Sequence, residues 1–189
     1  FWNLATLGLI VSSVAGRFAF TAVGSEGKAF FASRALPVDV WSYLWAKYLF
    51  TAVPLSALAA ITLYGSNLFL GVEGRALAYS VFLAVASSLA LSALALCMGS
   101  AQPVFDARNP AKGVMSAWGL GYMFLSLLYV GAVLVFSARP VYQYYSHLVG
   151  HGPGPTYAMP ALNVGGLSAL MVLACLLIAA WRLRNIEAR

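Results

Sequence analysis

The stretch Ala76–Met98 reads ALAYSVFLAVASSLALSALALCM, 23 consecutive residues with no charged side chain. Wound as a helix, an apolar run of about 18 residues or more matches the hydrocarbon thickness of a bilayer. Working outward, four further runs of this kind lie at about 1–22, 48–72, 113–136 and 159–181. The sequence therefore predicts an all-α fold: a polytopic membrane helix bundle of about five transmembrane helices, forming a single transmembrane domain over 1–189. Pro54 and Gly65 are expected to bend the second span, with neighbouring helices satisfying the freed backbone groups.

Composition excludes the other broad classes. The chain is 62% hydrophobic and 8% charged, against roughly 25% charged residues in soluble domains, so a charged shell able to keep a globule in water is missing. The formal net charge is +6. The cations stand at the ends of the apolar runs, where they meet lipid headgroups and set topology. No basic stripe with aromatic stacking residues accompanies them, so nucleic acid is not an expected partner. Cys97 and Cys175 each sit inside an apolar run without a CxxC spacing and read as small buried side chains. The sequence opens at Phe1, already inside an apolar run, and upstream elements of a longer chain are expected to precede it.

The cations also orient the bundle. Arg17, Lys28, Arg34, Lys47, Arg108, Lys112, Arg182, Arg184 and Arg189 fall on one side, and Arg75 and Arg139 on the other. The excess of Lys and Arg on cytoplasmic loops places residues 23–47, residues 99–112 and the C-terminal tail inside, and 137–158 outside. Two stripes of small residues recur every fourth position: Gly113, Ala117 and Gly121 on the fourth span, and Ala84, Ser88 and Ser92 on the third. Such stripes let helix backbones approach closely in lipid, so both are expected to pack on other spans.

Chemistry-bearing residues are sparse. No ionisable group lies deep in a span, Arg17 being near enough to the end to snorkel. Proton- and ion-coupled carriers place such groups at membrane depth, so their absence argues against that class. Asn67 could line a pathway, although an interhelical hydrogen bond is its expected role. The run Gly24–Lys28 resembles a phosphate loop only superficially, because Ala22 and Ala29 stand where a glycine and a hydroxyl are needed. Asn109-Pro110-Ala111 is the tripeptide of water channels, but it is a single copy in a polar, charged loop. His147 and His151 have the i, i+4 spacing of a metal pair, but glycines and Pro153 surround them and no carboxylate or thiol is near. No metal, cofactor or catalytic set is therefore expected, and a membrane-embedded enzyme lacks an acid, base or nucleophile to name.

The first polar connection carries the most information. Ser25 suits an N-cap and Glu26 the first turn of a short helix; Phe30, Phe31 and Ala35 form its apolar side, and Lys28 and Arg34 its polar side. Pro37 ends that helix, and Asp39 can cap a second one, in which Trp41, Leu44, Trp45 and Tyr48 recur at helical spacing. The expected outline is an interfacial helix, a proline break, and a helix that climbs into the bilayer.

In this order of elements the chain resembles the permease (transmembrane) subunits of type-2 ATP-binding-cassette (ABC) exporters, and most of all a bacterial ABC exporter branch. The features that carry the likeness are Glu26-Gly27-Lys28-Ala29-Phe30, Arg34-Ala35-Leu36-Pro37 and Trp45-Ala46-Lys47, followed by Phe105–Lys112 and Tyr122–Val130. Arg108 stands where that family commonly carries Glu.

The resemblance implies that the five spans are the second to sixth of a six-span unit, and that 137–158 includes partly re-entrant helices on the outer face. It further implies that Glu26, Gly27, Lys28, Phe30, Phe31, Arg34 and Pro37 form a coupling helix that contacts a separate ABC ATPase subunit. A second permease half, as a homodimer or a fused partner, would complete the unit in a bacterial cytoplasmic membrane. The chain itself would not be an enzyme. The alternative is a membrane scaffold or assembly protein with no transport cycle.

Overall fold

A computed structural model describes residues 2–24, 39–72, 74–101, 116–150 and 155–186. Five helices make up these segments: α1 (Trp2–Phe18), α2 (Val40–Phe69), α3 (Gly74–Ala101), α4 (Ala117–Leu148) and α5 (Ala158–Ile186). The last four are long and apolar enough to cross a membrane. α1, with 17 residues, is shorter and packs against α2, α3 and α4. Among the described residues there is no strand, so the all-helical bundle expected from the apolar runs is the architecture observed.

The order of burial follows from side-chain size. α3 is built chiefly from Ala, Ser and Leu, and it is apolar around its whole circumference. A helix of that kind belongs in the interior, and its small side chains admit neighbours on every side. Accordingly, α3 packs against all four other helices and is buried along most of its length, whereas the others each turn several large apolar side chains outward and α3 chiefly Phe82. The outward-facing stock includes Phe50, Ile61, Phe124, Val135, Leu162 and Leu170. Buried serines cost little here because they bond back to their own helices, Ser92 to the Ser88 carbonyl at 2.8 Å and Ser168 to the Val164 carbonyl at 2.7 Å. Among the described residues no buried side-chain polar atom lacks a hydrogen-bond partner.

Helix ends differ from the sequence expectation where local chemistry decides. The first span, expected to reach residue 22, ends at Phe18. There the amides of Ala19 and Phe20 both turn to the Ala15 carbonyl and the Thr21 hydroxyl takes the Arg17 carbonyl, at 2.6 Å, closing the helix into a turn. α2 starts at Val40, eight residues before the span proper, because the helix expected after Asp39 is continuous with it. Asp39 sits at the N-cap with an extended backbone, but its side chain makes no capping bond. Pro54 lies inside α2 without interrupting it.

The largest departure is α4. Residues 137–158 were expected to be a connection, yet the helix runs on to Leu148. Pro140 removes a single amide and is itself buried, and the next residue suited to reversal is Gly150, with φ of 80°. The tight link between α2 and α3 uses the same device, Gly71 and Gly74 having φ of 68° and 64°. Pro160 falls in the first turn of α5, where an amide has no intrahelical partner to lose.

Candidate functional site

The antiparallel packing gathers two ends with different chemistry. At one end lie the finish of α1, the start of α2, the finish of α3, the start of α4 and the finish of α5. Among the described residues this end carries Arg17, Lys47, Arg182 and Arg184, and the other carries Arg75 and Arg139. The two groups inferred from the sequence are thus also separate in space.

The predicted coupling residues Glu26, Gly27, Lys28, Phe30, Phe31, Arg34 and Pro37 lie outside the described residues. The flanks of that segment are described, and both are anchored. On the near side, Gly99 lets the Phe20 backbone press directly onto α3, where a Cβ on Gly99 would collide with the Phe20 carbonyl. The Phe20 ring lies 6.3 Å from the Tyr122 ring, and Val23 is fully buried. On the far side Leu44 is fully buried, and the buried Tyr48 donates its hydroxyl to the Leu89 carbonyl at 3.2 Å. Trp45 turns outward with its ring 5.6 Å from that of Tyr48. Of the aromatic repeat, then, Leu44 and Tyr48 hold the helix to the bundle and Trp45 faces out. Lys47 stands over the Tyr43 ring at 5.8 Å, and Arg182 over the Trp118 ring at 4.5 Å, joining α5 to α4.

The two small-residue stripes behave differently. Ala84, Ser88 and Ser92 are buried at the centre of the bundle. Gly113 lies outside the described residues. Ala117 is exposed and a Cβ on Gly121 would meet nothing within 4 Å, so among the described residues these two do not pack on another helix. The close approaches occur instead at Gly8, where a Cβ would lie 2.9 Å from a Val130 methyl, and at Gly16, 2.9 Å from the Tyr122 ring. They join α1 to α4, and two hydrogen bonds reinforce the seam: Ser12 to Ser126 at 2.7 Å, and the Tyr122 hydroxyl to the Ser12 carbonyl at 2.7 Å. Spacing alone could not distinguish these glycines from Gly121, because the partner side chains come from a segment more than 100 residues away.

At the opposite end a cavity of about 100 Å³ is lined by Asn3, Asn67, Tyr79, Ser80, Tyr144 and Tyr157 among others. Asn67 has the interhelical hydrogen-bonding role expected from the sequence. It donates to the Ser80 hydroxyl at 2.6 Å and accepts from Asn3 at 3.3 Å, tying together α1, α2 and α3, and it also lines this cavity. The Tyr79 and Tyr157 rings meet at 5.2 Å. Burial, and then the neighbouring phenols of Tyr144 and Tyr79, hold the Tyr157 phenol above its ordinary range. Nothing in the spacing of Asn3, Tyr79 and Tyr157 brings them together; only the fold does. His147 is exposed and His151 lies outside the described residues, and no metal-holding group of His, Cys, Asp or Glu occurs among the described residues. Cys97 and Cys175 are buried free thiols in contact across α3 and α5.

These features define a helical membrane bundle with a cation-rich end, an aromatic polar end and a closed centre. The family model described as "Putative ATP-binding cassette" matches residues 1–186, and the chain belongs to that family. No curated protein and no solved structure matches it.

Proposed function

We propose that the chain is the transmembrane permease subunit of an ATP-driven ABC exporter, in which a separate ATPase subunit hydrolyses ATP. The observation that carries this reading is the kind of structure that fills the matched length. An ATP-binding-cassette family spans residues 1–186, and the described part of that length is five helices, four of them long and apolar enough to cross a membrane. A chain of that kind supplies the membrane path, and the nucleotide chemistry falls to its partner. The cation-rich end is then cytoplasmic, in a bacterial cytoplasmic membrane, and a second permease half completes the unit.

Coupling enters between Gly24 and Asp39. Both flanks are fixed to the bundle, through Phe20 and Val23 on one side and Leu44 and Tyr48 on the other. A push on the intervening residues therefore reaches α1 and α2 without being lost in slack chain. Phe30 and Phe31 dock the ATPase, Glu26, Lys28 and Arg34 make polar contacts to it, and Pro37 separates the docking helix from α2. ATPase closure displaces that helix and tilts the spans between inward and outward access. The test is recovery of the ATPase subunit on the full-length permease, wild type against Phe31→Ala and Pro37→Ala. Lower recovery or lower permease-stimulated ATP hydrolysis, with membrane insertion unchanged, is expected. Equal recovery and equal stimulation would leave a membrane scaffold as the better reading.

A further inference from the structure

A groove of about 490 Å³ lies between α1 and α2, lined by Val14, Phe18, Phe50, Thr51, Pro54 and Leu58 among others. Thr51 is its one lining residue with a hydroxyl, and that hydroxyl is turned to the carbonyls of Lys47 and Tyr48, at 3.1 and 3.0 Å. Phe18 and Phe50, at the rim, are 68% and 81% exposed, so the groove opens on the side of the bundle that meets lipid. Its volume is within the range of small-molecule sites.

One backbone group here lacks its regular partner. In an α-helix the carbonyl of Phe50 would accept the amide of the fourth residue on, but that residue is Pro54, which has no amide hydrogen. In membrane helices a nearby hydroxyl often supplies the missing donor. Here neither neighbouring hydroxyl does: that of Thr51 is engaged one turn earlier, and that of Ser56 goes to the Val53 carbonyl at 2.9 Å. Phe50 and Pro54 stand one above the other on the face that lines the groove, and both are exposed. Pro54 lies midway along α2, which runs from Val40 to Phe69. The groove thus offers hydrocarbon walls and one hydrogen-bond acceptor at membrane depth.

Three other occupants do not match that pattern. Water needs several polar partners to settle in a cavity. The acyl chains of a phospholipid carry no donor. A second copy meeting this one about a two-fold axis would present the same patch, whose one hydroxyl, that of Thr51, is already bonded. No charged side chain lines the groove, so nothing there favours an ionised ligand. We propose that the groove is a binding site for an uncharged long-chain lipophile that carries a hydroxyl. It enters sideways from the bilayer, lays its hydrocarbon along Val14, Leu55 and Leu58, and donates a hydrogen bond to the Phe50 carbonyl. The proposal does not depend on the chain being a permease.

The experiment is photolabelling of the full-length protein in phosphatidylcholine bilayers, with sites of attachment read by peptide mass spectrometry. The probes are dodecanol carrying a mid-chain diazirine and the methyl ether of the same molecule, which differ only in the donor. Wild type is expected to take label on the groove residues of α1 and α2 about threefold more from the alcohol, the equivalent of about 0.6 kcal/mol for a hydrogen bond made in a membrane. Pro54→Ala, which returns an amide to the Phe50 carbonyl, should bring the two probes level. Leu58→Trp, at an exposed part of the groove wall, should lower labelling there by both probes, whereas Leu127→Trp, on the exposed face of α4, should change neither. Equal labelling of the wild-type groove by the two probes would overturn the proposal. So would a preference that survives Pro54→Ala, or label spread evenly over the exposed faces of all the helices. A dimer that Leu58→Trp dissociates would assign the groove to a second copy and overturn it too.

Discussion

Gly99→Ala tests the contact that fixes the chain leaving α1. A Cβ at this position would overlap the Phe20 carbonyl, and the next nearest atoms are also Phe20 backbone. At Gly8 and Gly16 the obstructing atoms are a Val130 methyl and the Tyr122 ring edge, which can rotate by a few tenths of an ångström. The Phe20 backbone has less freedom, because its amide is tied to the Ala15 carbonyl, its ring is buried against Tyr122, and Val23 is buried just beyond it. Relief therefore requires α3 and the turn after α1 to separate. Overpacking costs about 1–3 kcal/mol, and the backbone obstruction places this case at the upper end. Alanine recovers about 0.5–1 kcal/mol of helix propensity relative to glycine, leaving a net loss of about 2 kcal/mol. Reversible unfolding of the purified protein by a denaturing detergent measures it. Gly99→Ala unfolding at the same detergent fraction as wild type would refute the argument, because no compensating term of that size is present.

Gly121→Leu should leave unfolding within about 0.5 kcal/mol of wild type, the usual range for a surface change, since a Cβ there meets nothing among the described residues; a clear loss in the same titration would mean that another segment or a second copy covers it. Tyr122→Phe removes the bond to the Ser12 carbonyl at 2.7 Å and should cost about 0.6–1.7 kcal/mol, the range for interhelical hydrogen bonds in membranes, whereas Tyr142→Phe at an exposed site should cost nothing measurable. Cysteines introduced at Ser42 and Ser146 should label oppositely with a membrane-impermeant thiol reagent on intact cells, Ser146 reacting and Ser42 not, with little background from the buried Cys97 and Cys175. In hydrogen exchange, amides of the fully buried Ala90–Leu96 stretch should be the last to exchange; faster exchange there than in the middle of α2 would contradict the central place of α3.

How much was legible follows from which signals are local. Helix existence is written in runs of apolar residues longer than a strand can use, so Ala76–Met98 alone decides the class. Helix ends are written in single residues: the spans expected at 48–72 and 76–98 correspond to helices that end at Phe69 and start at Gly74, with the chain reversing at Gly71 and Gly74. The end of the fourth span was expected at about 136, but the helix continues through Pro140 to Leu148, because a proline inside a helix removes only one amide donor. The charge count found both ends of the bundle, since cations are confined to helix ends whatever the packing inside. Pair contacts were another matter. Gly113, Ala117 and Gly121 carry the same periodic signal as Ala84, Ser88 and Ser92, yet Ala117 is exposed and Ser88 buried. A stripe of small residues shows that a helix can be approached, while the approach itself depends on a complementary ridge elsewhere in the chain.

That distinction bears on how such a bundle can move. The directional contacts of α3 cluster toward its aromatic polar end, where Ser80 takes Asn67 and Tyr79 meets Ser137 at 3.4 Å. Toward the cation-rich end it makes a backbone contact with Phe20 across Gly99 and accepts the Tyr48 bond at Leu89. Between these points its surface is mostly small and aliphatic, with Phe82 against Gly165 and the Ser88 hydroxyl turned to its own helix. Contacts of that kind are short-ranged and weakly directional, and they resist separation more than sliding. The strong constraints on α1 are made to α4 instead, through Ser12, Ser126 and Tyr122. α1 and α4 are therefore joined by side-chain hydrogen bonds beside the central helix, and α2 joins the rest through the bonds of Tyr48 and Asn67 and the buried Leu44, Ala52, Leu55, Ala59 and Leu63. On the proposed function, a displacement applied between Gly24 and Asp39 would act on α1 and α2 at the same end, and would reach α3 through Phe20 against Gly99 and Tyr48 against Leu89.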